Sequence, residues 1–585
     1  MEKIKNKKTV NIKINNVNLK AKVGQSILEA AREAGIHIPT LCYLKDINEI
    51  GACRICVVEV KGSKNLVASC VMPVSEGMEI YTNSPRVKSS RKTTLELLLS
   101  THKKECLSCV RSGECELQTL CKQLGVEDEN RFKGEMPKYT KDDSTLHLIR
   151  DNSKCILCRR CEAACKNQHV GVIGANNRGF DTQIGCAFEK DLSDVSCVSC
   201  GQCIVNCPTG ALRERDCGDD VMEAINDPKK IVIVHTAPSI RVTLGESFGM
   251  KIGTNVKGKM VAALRKLGFD KVFDTDFGAD LTIVEEANEF IERVKNGGKL
   301  PMITSCSPGW IKFCEHYYPE LLDNLSTCKS PQQMQGAIIK TWYAKKNDLD
   351  PKNIVVVSVM PCTAKKFEIT RDDQAAAGIP DTDFTLTTRE LARMIKSACI
   401  DFKNLPDEEF DSLLGVSTGA GAIFGATGGV MEAALRTAND ILSGKPQGNI
   451  EYKEIRGTDD IKEAIYKIAG KDIKVAVVSG LNNAVKILDK VKNNSGDYHF
   501  IEIMCCPGGC VNGGGQPIQP ADIRNFKDLK ALRAKALYKE DKSLPLRKSH
   551  ENPTIKKIYE EFLEKPGSHK SHEILHTSYK KRNKF

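Results

Sequence analysis

The sequence predicts a multidomain protein of mixed class, with small cysteine-rich α+β domains in front and a large α/β domain with parallel sheets behind. Three observations carry this reading. The chain has 585 residues, more than one hydrophobic core usually organises. Cysteines recur at short fixed steps through the first third, and one spacing pattern occurs there twice. From about residue 216, continuous β-branched runs alternate with helical segments, the pattern of strands buried on both faces.

The first predicted domain is 1–85. TVNIKINNVNLKAKV (9–23) forms two alternating strands around Asn15-Asn16, a hairpin signal. Ser26 opens a helix with Glu29 completing a capping box, and Gly35 ends it. Cys42, Cys53, Cys56 and Cys70 follow, the middle pair inside GACRIC. One close pair and two isolated thiols suit a 2Fe-2S cluster in a plant-ferredoxin-like β-grasp domain. Zinc is the competing ion, and the departure from CxxC…CxxC pairing weighs against it.

Residues 86–131 read as a small helical domain. TTLELLLSTHKKEC carries an apolar face, and His102 and Cys106, four apart, are expected on one face of a helix. With Cys109 and Cys115 they give HxxxCxxCxxxxxC, a one-histidine, three-cysteine set for a 4Fe-4S cluster. Zinc fits those ligands equally well in isolation, and the position between two redox modules favours iron and sulfur. Cys121 is left over as a structural residue.

FKGEMPKYTKDDST (132–145) reads as a polar linker into a third domain, 132–215. There CxxCxxCxxxC occurs as Cys155, Cys158, Cys161, Cys165 and again as Cys197, Cys200, Cys203, Cys207, with Pro208 after it. This is the bacterial ferredoxin run, in which the fourth cysteine of each half binds the other half's cluster. Cys155, Cys158, Cys161 and Cys207 are therefore expected on one 4Fe-4S cluster, and Cys165, Cys197, Cys200 and Cys203 on the second.

In 216–585 the runs IVIVHTA, LPMITS, IVVVSVM, KVAVVSG and FIEIM read as strands, and GKMVAALRKLG and TTRELARMIKSA as helices. Ligands of such sheets gather at the carboxyl ends of strands, and Pro238-Ser239, Cys306, Cys362 and Cys506 all follow such ends. The basic tail from about 520 reads as helical with a solvated charged face, a cover for the core without chemistry. Three stretches stand out: MITSCSPGW (302–310), SVMPCTAKK (358–366) and EIMCCPGGCVNGGGQP (502–517). Each ends an apolar strand in cysteine, and together they look like the walls of one metal pocket, which the glycine backbone of the last can approach closely.

Composition limits the possible functions. No apolar run reaches bilayer length, and MEKIKNKKTVNIKINN lacks the apolar core of a signal peptide, so a cytoplasmic protein without a membrane partner is expected. Twenty-six cysteines without an export signal fit thiolates holding metal better than disulfides. The formal charge of +11 suits nucleic acid at first sight. A 4Fe-4S cluster on four thiolates carries roughly two negative charges, so several cancel most of that excess and no nucleic-acid partner is expected.

The three cysteine motifs, TSCSPGW, MPCTAKKFE and EIMCCPGGCVNGGGQP, together with the cluster pattern ahead of them, resemble the iron-only (FeFe) hydrogenases of the large clostridial type with four accessory clusters. The resemblance spans nearly the whole chain. It implies one 2Fe-2S cluster, three accessory 4Fe-4S clusters and an H-cluster: a 4Fe-4S cubane joined through a cysteine sulfur to a two-iron subcluster with CO, cyanide and a bridging dithiolate amine. By similarity Cys362, Cys506 and Cys510 ligate the cubane, Cys510 supplying the bridge. Lys365 and Ser239 would hydrogen-bond cyanide, which would give the buried lysine its partner charge, and Pro238, Gln332, Met360, Phe424 and Met504 would wall the pocket.

The reaction implied is the reversible 2 H+ + 2 e− = H2. Splitting dihydrogen into unlike halves needs a Lewis acid and a base, which the open iron site and the bridging amine would supply. Protons would leave through Cys306, Glu289, Ser326 and Glu286, with Arg293 near the surface; three residues apart on a helix, Glu286 and Glu289 would share a face. Electrons would run through the clusters to or from ferredoxin or flavodoxin, and maturation proteins would install the two-iron unit. The alternatives are a hydrogen-sensing or uptake-biased member and a non-catalytic iron–sulfur relative. Two positions depart from the family's pattern. Ser307 stands where a second cysteine usually binds the cubane, and Cys505 is an additional thiol beside Cys506, so either completes the cubane's ligands. Ala364 stands where the family often has serine.

Overall fold

The computed structural model describes residues 9–448 and 450–584. The reading of the first eight residues as free of a signal peptide lies outside the described residues. β1 (Thr9–Ile14) and β2 (Val17–Lys22) pair antiparallel through Asn15 and Asn16, at φ 48° and 69°, the positive values that a two-residue hairpin turn requires. The helix Ile27–Glu33 starts in the Ser26–Glu29 capping box and is followed by Gly35 at φ 73°. β3 (Val57–Val60), β4 (Val67–Ala68) and β5 (Glu79–Tyr81) complete a five-stranded sheet in the order β2-β1-β5-β3-β4. β1 and β5 run parallel at its centre.

The helix Pro85–Ser100 ends before His102, which corrects the expectation of His102 and Cys106 on one helical face. His102 N–H closes a turn onto Leu99 O, Lys103 N–H is drawn to Ser153 O at 2.8 Å, and Cys106 lies in a separate short turn, Cys106–Ser108. The loop turns both side chains into one cavity. The stretch 132–145 is likewise more than a linker. Asp142 in β6 (Lys141–Asp142) is buried, pairs with Arg150 at 3.2 Å and accepts the Leu192 N–H at 2.9 Å, the partners a buried carboxylate needs. β7 (Ile149–Asp151), β8 (Gly174–Asn176), β9 (Gln183–Gly185) and β10 (Leu212–Arg213) form the sheet β10-β7-β6 and the hairpin β8-β9. Two short cysteine-bearing helices, Arg160–Asn167 and Gln202–Asn206, pack on each other beside them.

The remainder holds two four-stranded sheets, built from β11 (Ile231–Thr236), β12 (Lys271–Asp274), β13 (Met302–Ile303), β14 (Ile354–Met360), β15 (Phe384–Thr387), β16 (Ile461–Ile468), β17 (Lys471–Ser479) and β18 (Phe500–Met504). The first, β12-β11-β14-β15, is parallel throughout. The second, β13-β18-β17-β16, is mixed, which corrects the expectation of parallel sheets only: β16 runs antiparallel to β17 at the edge. Burial alternates along IKEAIYKI, with Glu463, Ile465 and Lys467 exposed and Lys462 and Ile468 buried, as in a strand with one face in water.

The helix Thr275–Asn296 lies between the two sheets. Phe277, Leu281 and Val284 join a core with β11 and β14, while Ala279, Ile283 and Phe290 join another with β17 and β18. The tail is not merely a solvated face. In its helix Leu529–Ser543, Arg533, Glu540 and Asp541 are buried and ion-paired, Arg533 to Glu246 at 2.6 Å and Asp541 to Arg436 at 2.9 Å. The cysteine-rich front is joined to the sheets at a close seam. Thr363 Oγ1 donates to Ser199 O at 2.7 Å, and a Cβ on Gly514 would lie 2.2 Å from Cys200 O, so only glycine fits there.

Arg241 stands two residues after Ser239 and is fully buried, held by Asp274 at 2.6 Å and by Asp276 and Glu540 at 3.0 Å each. Arg241→Ala strands these carboxylates. Breaking such a network typically costs about 3–5 kcal/mol, so the thermal unfolding midpoint of the variant is expected well below that of the wild-type chain.

Candidate active site

The carboxyl ends of β11, β13, β14 and β18 point into one cavity between the sheets. Each strand ends in a short turn that exposes two or three of these side chains to it: Pro238 and Ser239 after β11, Cys306 and Ser307 after β13, Cys362 and Lys365 after β14, and Cys505, Cys506 and Cys510 after β18. Gln332, Met360, Phe424 and Met504 complete the wall. Every residue expected at the pocket thus lines a single space.

Lys365 Nζ donates to Cys306 O at 3.2 Å and Ser330 Oγ at 2.7 Å and pairs with Glu368 at 2.9 Å. Its partner charge is a carboxylate of the protein itself. Glu368 lay within the quoted motif MPCTAKKFE, three residues after the lysine, and that helical spacing was the available signal. Glu502 is another residue the sequence reading passed over. Fully buried, it accepts the Gly428 and Met431 N–H groups, each at 2.7 Å, and so fixes the helix Gly429–Ser443 to β18.

From Cys306 a line of polar groups runs outward along the helix Thr275–Asn296. Glu286 is 1% exposed, and burial followed by the Glu289 charge pushes its carboxyl up to about 8. Ser326 donates to Glu289 at 2.8 Å, Glu289 pairs with Arg293 at 2.6 Å, and an oxygen of Glu286 is buried with no partner among the described residues. The two carboxyls stand in the reverse of the expected order, Glu286 inside and Glu289 outside, because Glu286 faces the Cys306 turn. Around the outer end the tail contributes groups the sequence reading left without chemistry: His576 Nδ1 lies 2.7 Å from Thr327 Oγ1, its Nε2 lies 3.2 Å from Glu285, and Tyr559 and Ser571 also bond Glu285.

The donor sets fit iron–sulfur groups on several independent observations. Ser239 Oγ is buried at the cavity wall with no partner among the described residues, and so is Nδ1 of His102. Burial lowers the His102 imidazole to about 4, so it is neutral and free to ligate. It lines a second cavity with Cys106, Cys109 and Cys115, and Cys121 lines that cavity too. The Cys56 and Cys70 sulfurs are 3.3 Å apart and Cys53 N–H donates to Cys42 Sγ at 3.5 Å, so these four come as two pairs, as the two irons of a 2Fe-2S cluster would take them. Cys207 stands among Cys155, Cys158 and Cys161, and Cys165 stands among Cys197, Cys200 and Cys203. Burial pushes the Cys510 thiol up to about 12 and that of Cys362 upward as well; ligation to a cationic iron is what holds such sulfurs as thiolates.

Comparison with known proteins agrees with this architecture. Residues 230–514 match the family described as iron only hydrogenase large subunit, C-terminal domain, and 527–582 match iron hydrogenase small subunit. Ahead of them, 7–85 match a 2Fe-2S iron-sulfur cluster binding domain, 91–130 the NADH-ubiquinone oxidoreductase-G iron-sulfur binding region, and 154–211 a 4Fe-4S dicluster domain. The NADP-reducing hydrogenase subunit HndD of Solidesulfovibrio fructosivorans is 50% identical, over 96% of this chain and 97% of its own. Iron hydrogenase 1 of Clostridium pasteurianum is 46% identical, over 97% and 99%. The apo [FeFe]-hydrogenase HydA1 from Chlamydomonas reinhardtii superposes with a TM-score of 0.56 at 39% identity, over 63% of this chain and 100% of that one. The chain therefore belongs to the iron-only (FeFe) hydrogenases, enzymes that interconvert dihydrogen with protons and electrons.

Proposed function

We propose that Cys362, Cys506 and Cys510 hold the cubane of an H-cluster and that Cys510 bridges it to the two-iron unit. The single observation that carries this is the convergence of all three sulfurs, from loops after two different sheets, on one cavity with Lys365 and the unpartnered Ser239 hydroxyl. When bound, the two-iron unit supplies a Lewis-acidic metal with a free position and a pendant amine for heterolytic cleavage of dihydrogen. The chain's own residues do the rest. Lys365 and Ser239 orient the diatomic ligands as donors, and Pro238, Gln332, Met360, Phe424 and Met504 exclude water. Cys306 exchanges protons with the pocket and passes them to Glu286, then through the Ser326 hydroxyl to Glu289, where Arg293 holds the carboxylate near the surface.

The front of the chain carries electrons. Its proposed units are a β-grasp domain (1–85) with one 2Fe-2S cluster, a domain (86–131) with a 4Fe-4S cluster on His102, Cys106, Cys109 and Cys115, and a domain (132–215) with two more 4Fe-4S clusters. The catalytic unit is 216–585. Ferredoxin or flavodoxin is the proposed carrier, in the cytoplasm, and maturation proteins install the two-iron unit. The close relative from S. fructosivorans is named as a subunit of an NADP-reducing hydrogenase, which favours as a second reading a partner subunit that hands the electrons to NADP. No helix of the described residues is long and apolar enough to cross a membrane.

Infrared spectra of the anaerobically purified, matured enzyme are expected to show CO and cyanide stretches, and their absence would remove the two-iron unit from this reading. Cys306→Ala should keep those bands and lose turnover by about 10²-fold or more, the size of a missing proton-transfer group. Glu286 holds its proton up to about pH 8 and gives it up above that. Hydrogen evolution is therefore expected to fall on the alkaline side with an apparent pKa near 8, and Glu286→Gln should abolish most of the activity with the infrared bands intact. A profile flat through that range in the wild type would exclude Glu286 from the route.

A further inference from the structure

At the outer end of the polar line, the carboxyl-terminal segment brings an imidazole and a buried thiol to the Glu289 carboxylate. Cys328 and His576 pair across an isolated antiparallel bridge, fastened by Lys329 N–H to Leu575 O and Thr577 N–H to Thr327 O, each at 2.8 Å. Their ligand atoms and a Glu289 oxygen all lie within 4.8 Å of one another. The Cys328 sulfur is 3.7 Å from Glu289 Oε2. Bonds of about 2.3 Å to sulfur and about 2.0 Å to oxygen at a tetrahedral zinc would set those two atoms about 3.5 Å apart, so the pair needs little adjustment. Arg293 holds the other Glu289 oxygen at 2.6 Å, while the Ser326 hydroxyl and the Thr327 N–H bond Oε2 at 2.8 and 3.1 Å. His576 Nδ1 lies 2.7 Å from Thr327 Oγ1 and Nε2 3.2 Å from Glu285. Whichever nitrogen turns to a metal therefore leaves the other with a partner that orients the ring. The exposed His572 lies against His576, ring centroids 3.9 Å apart, and offers an entering cation a first donor at the surface.

We propose that Glu289, Cys328 and His576 form a binding site for Zn2+, with a carboxylate, a thiolate and an imidazole around an ion that keeps its fourth position for water. These are the donor types that zinc takes from proteins, and three of them with an open position make a common set. Burial raises the Cys328 thiol well above its ordinary range; zinc displaces that proton, which leaves to water as the sulfur takes the metal. The carboxylates of Glu285 and Glu289 outnumber the Arg293 guanidinium paired with the latter, so the added positive charge is offset where it lands. A carboxylate committed to zinc cannot take up a proton. Zinc therefore closes the proposed route at Glu289 and leaves the cavity with its sulfur ligands untouched. That consequence rests on the reading of Glu289 as a proton carrier; the site itself does not.

The test titrates Zn2+ into the full-length, anaerobically matured enzyme and follows hydrogen evolution, zinc content after desalting, zinc-edge X-ray absorption and the infrared bands. Stoichiometric zinc should be retained, with a single sulfur among its nitrogen and oxygen donors. Turnover should fall by about 10²-fold, the size of a missing proton-transfer group, and return on chelation, with the CO and cyanide bands unmoved. Cys328→Ser and His576→Gln, neither of them in the proposed route, should evolve hydrogen normally without zinc. Both should need zinc at least about 10-fold higher for the same effect, since loss even of a partner behind a ligand costs that much. Zinc bound without sulfur or with several sulfurs, or held as tightly by both variants as by the wild type, would overturn the site. If one variant fails to fold, the other and the wild-type absorption spectrum still decide. Stoichiometric zinc on a single sulfur with full turnover would overturn the blockade and count against Glu289 as a carrier.

Discussion

One buried ammonium holds the catalytic cavity to a single geometry. Lys365 is 8% exposed, and burying an ammonium is costly unless a carboxylate pairs with it. Glu368 is that carboxylate, and it also receives the Ser330 hydroxyl at 2.8 Å and Gln332 Nε2 at 3.0 Å. The ammonium adds the Cys306 carbonyl, so loops following β13 and β14 and the start of the helix Pro331–Ile338 meet at one pair of charges. Buried ion pairs add little net stability over apolar packing. This one ties separate chain segments into the arrangement that brings their sulfurs together.

Protons and electrons leave that cavity by different physical means, and the fold separates them accordingly. A proton needs an unbroken series of groups that can accept and release it, and in the proposed route one helix supplies the acids beside the Ser326 loop. Electrons need clusters at close approach, and the sulfur loops of the front domain lie directly against the Cys362 and Cys510 loops. The carboxyl-terminal segment, by bonding Glu285 through Tyr559, Ser571 and His576, braces the helix that carries the proposed proton route.

Much of this was legible from local chemistry. β11, β14, β17 and β18 were visible because buried parallel strands are written as unbroken β-branched runs, and the Asn15-Asn16 turn because it needs residues that tolerate positive φ. The sulfur groups were legible because cluster ligands obey spacing rules. What spacing could not convey was direction. His102 and Cys106 are four apart as helix neighbours would be, but the helix had already ended at Ser100. Glu286 and Glu289 were both named, and only the packing of the helix decides which lies inside. β16 was missed because IKEAIYKI places charged and apolar residues on both faces and shows no strand period until β17 is seen beside it. The charged tail looked exposed because the partners of Arg533 and Asp541 lie about 290 and 100 residues away in sequence.

The seam at Gly514 is made of main chain, with no side chain on one side of the contact. Such a joint cannot be retuned by exchanging one residue for another, since any larger residue forces the two halves apart. Adaptation to a new redox partner would therefore have to be written at the far end of the molecule. There the fully exposed Leu107, beside the histidine-bearing cysteine set, offers a side chain whose exchange leaves the glycine seam untouched.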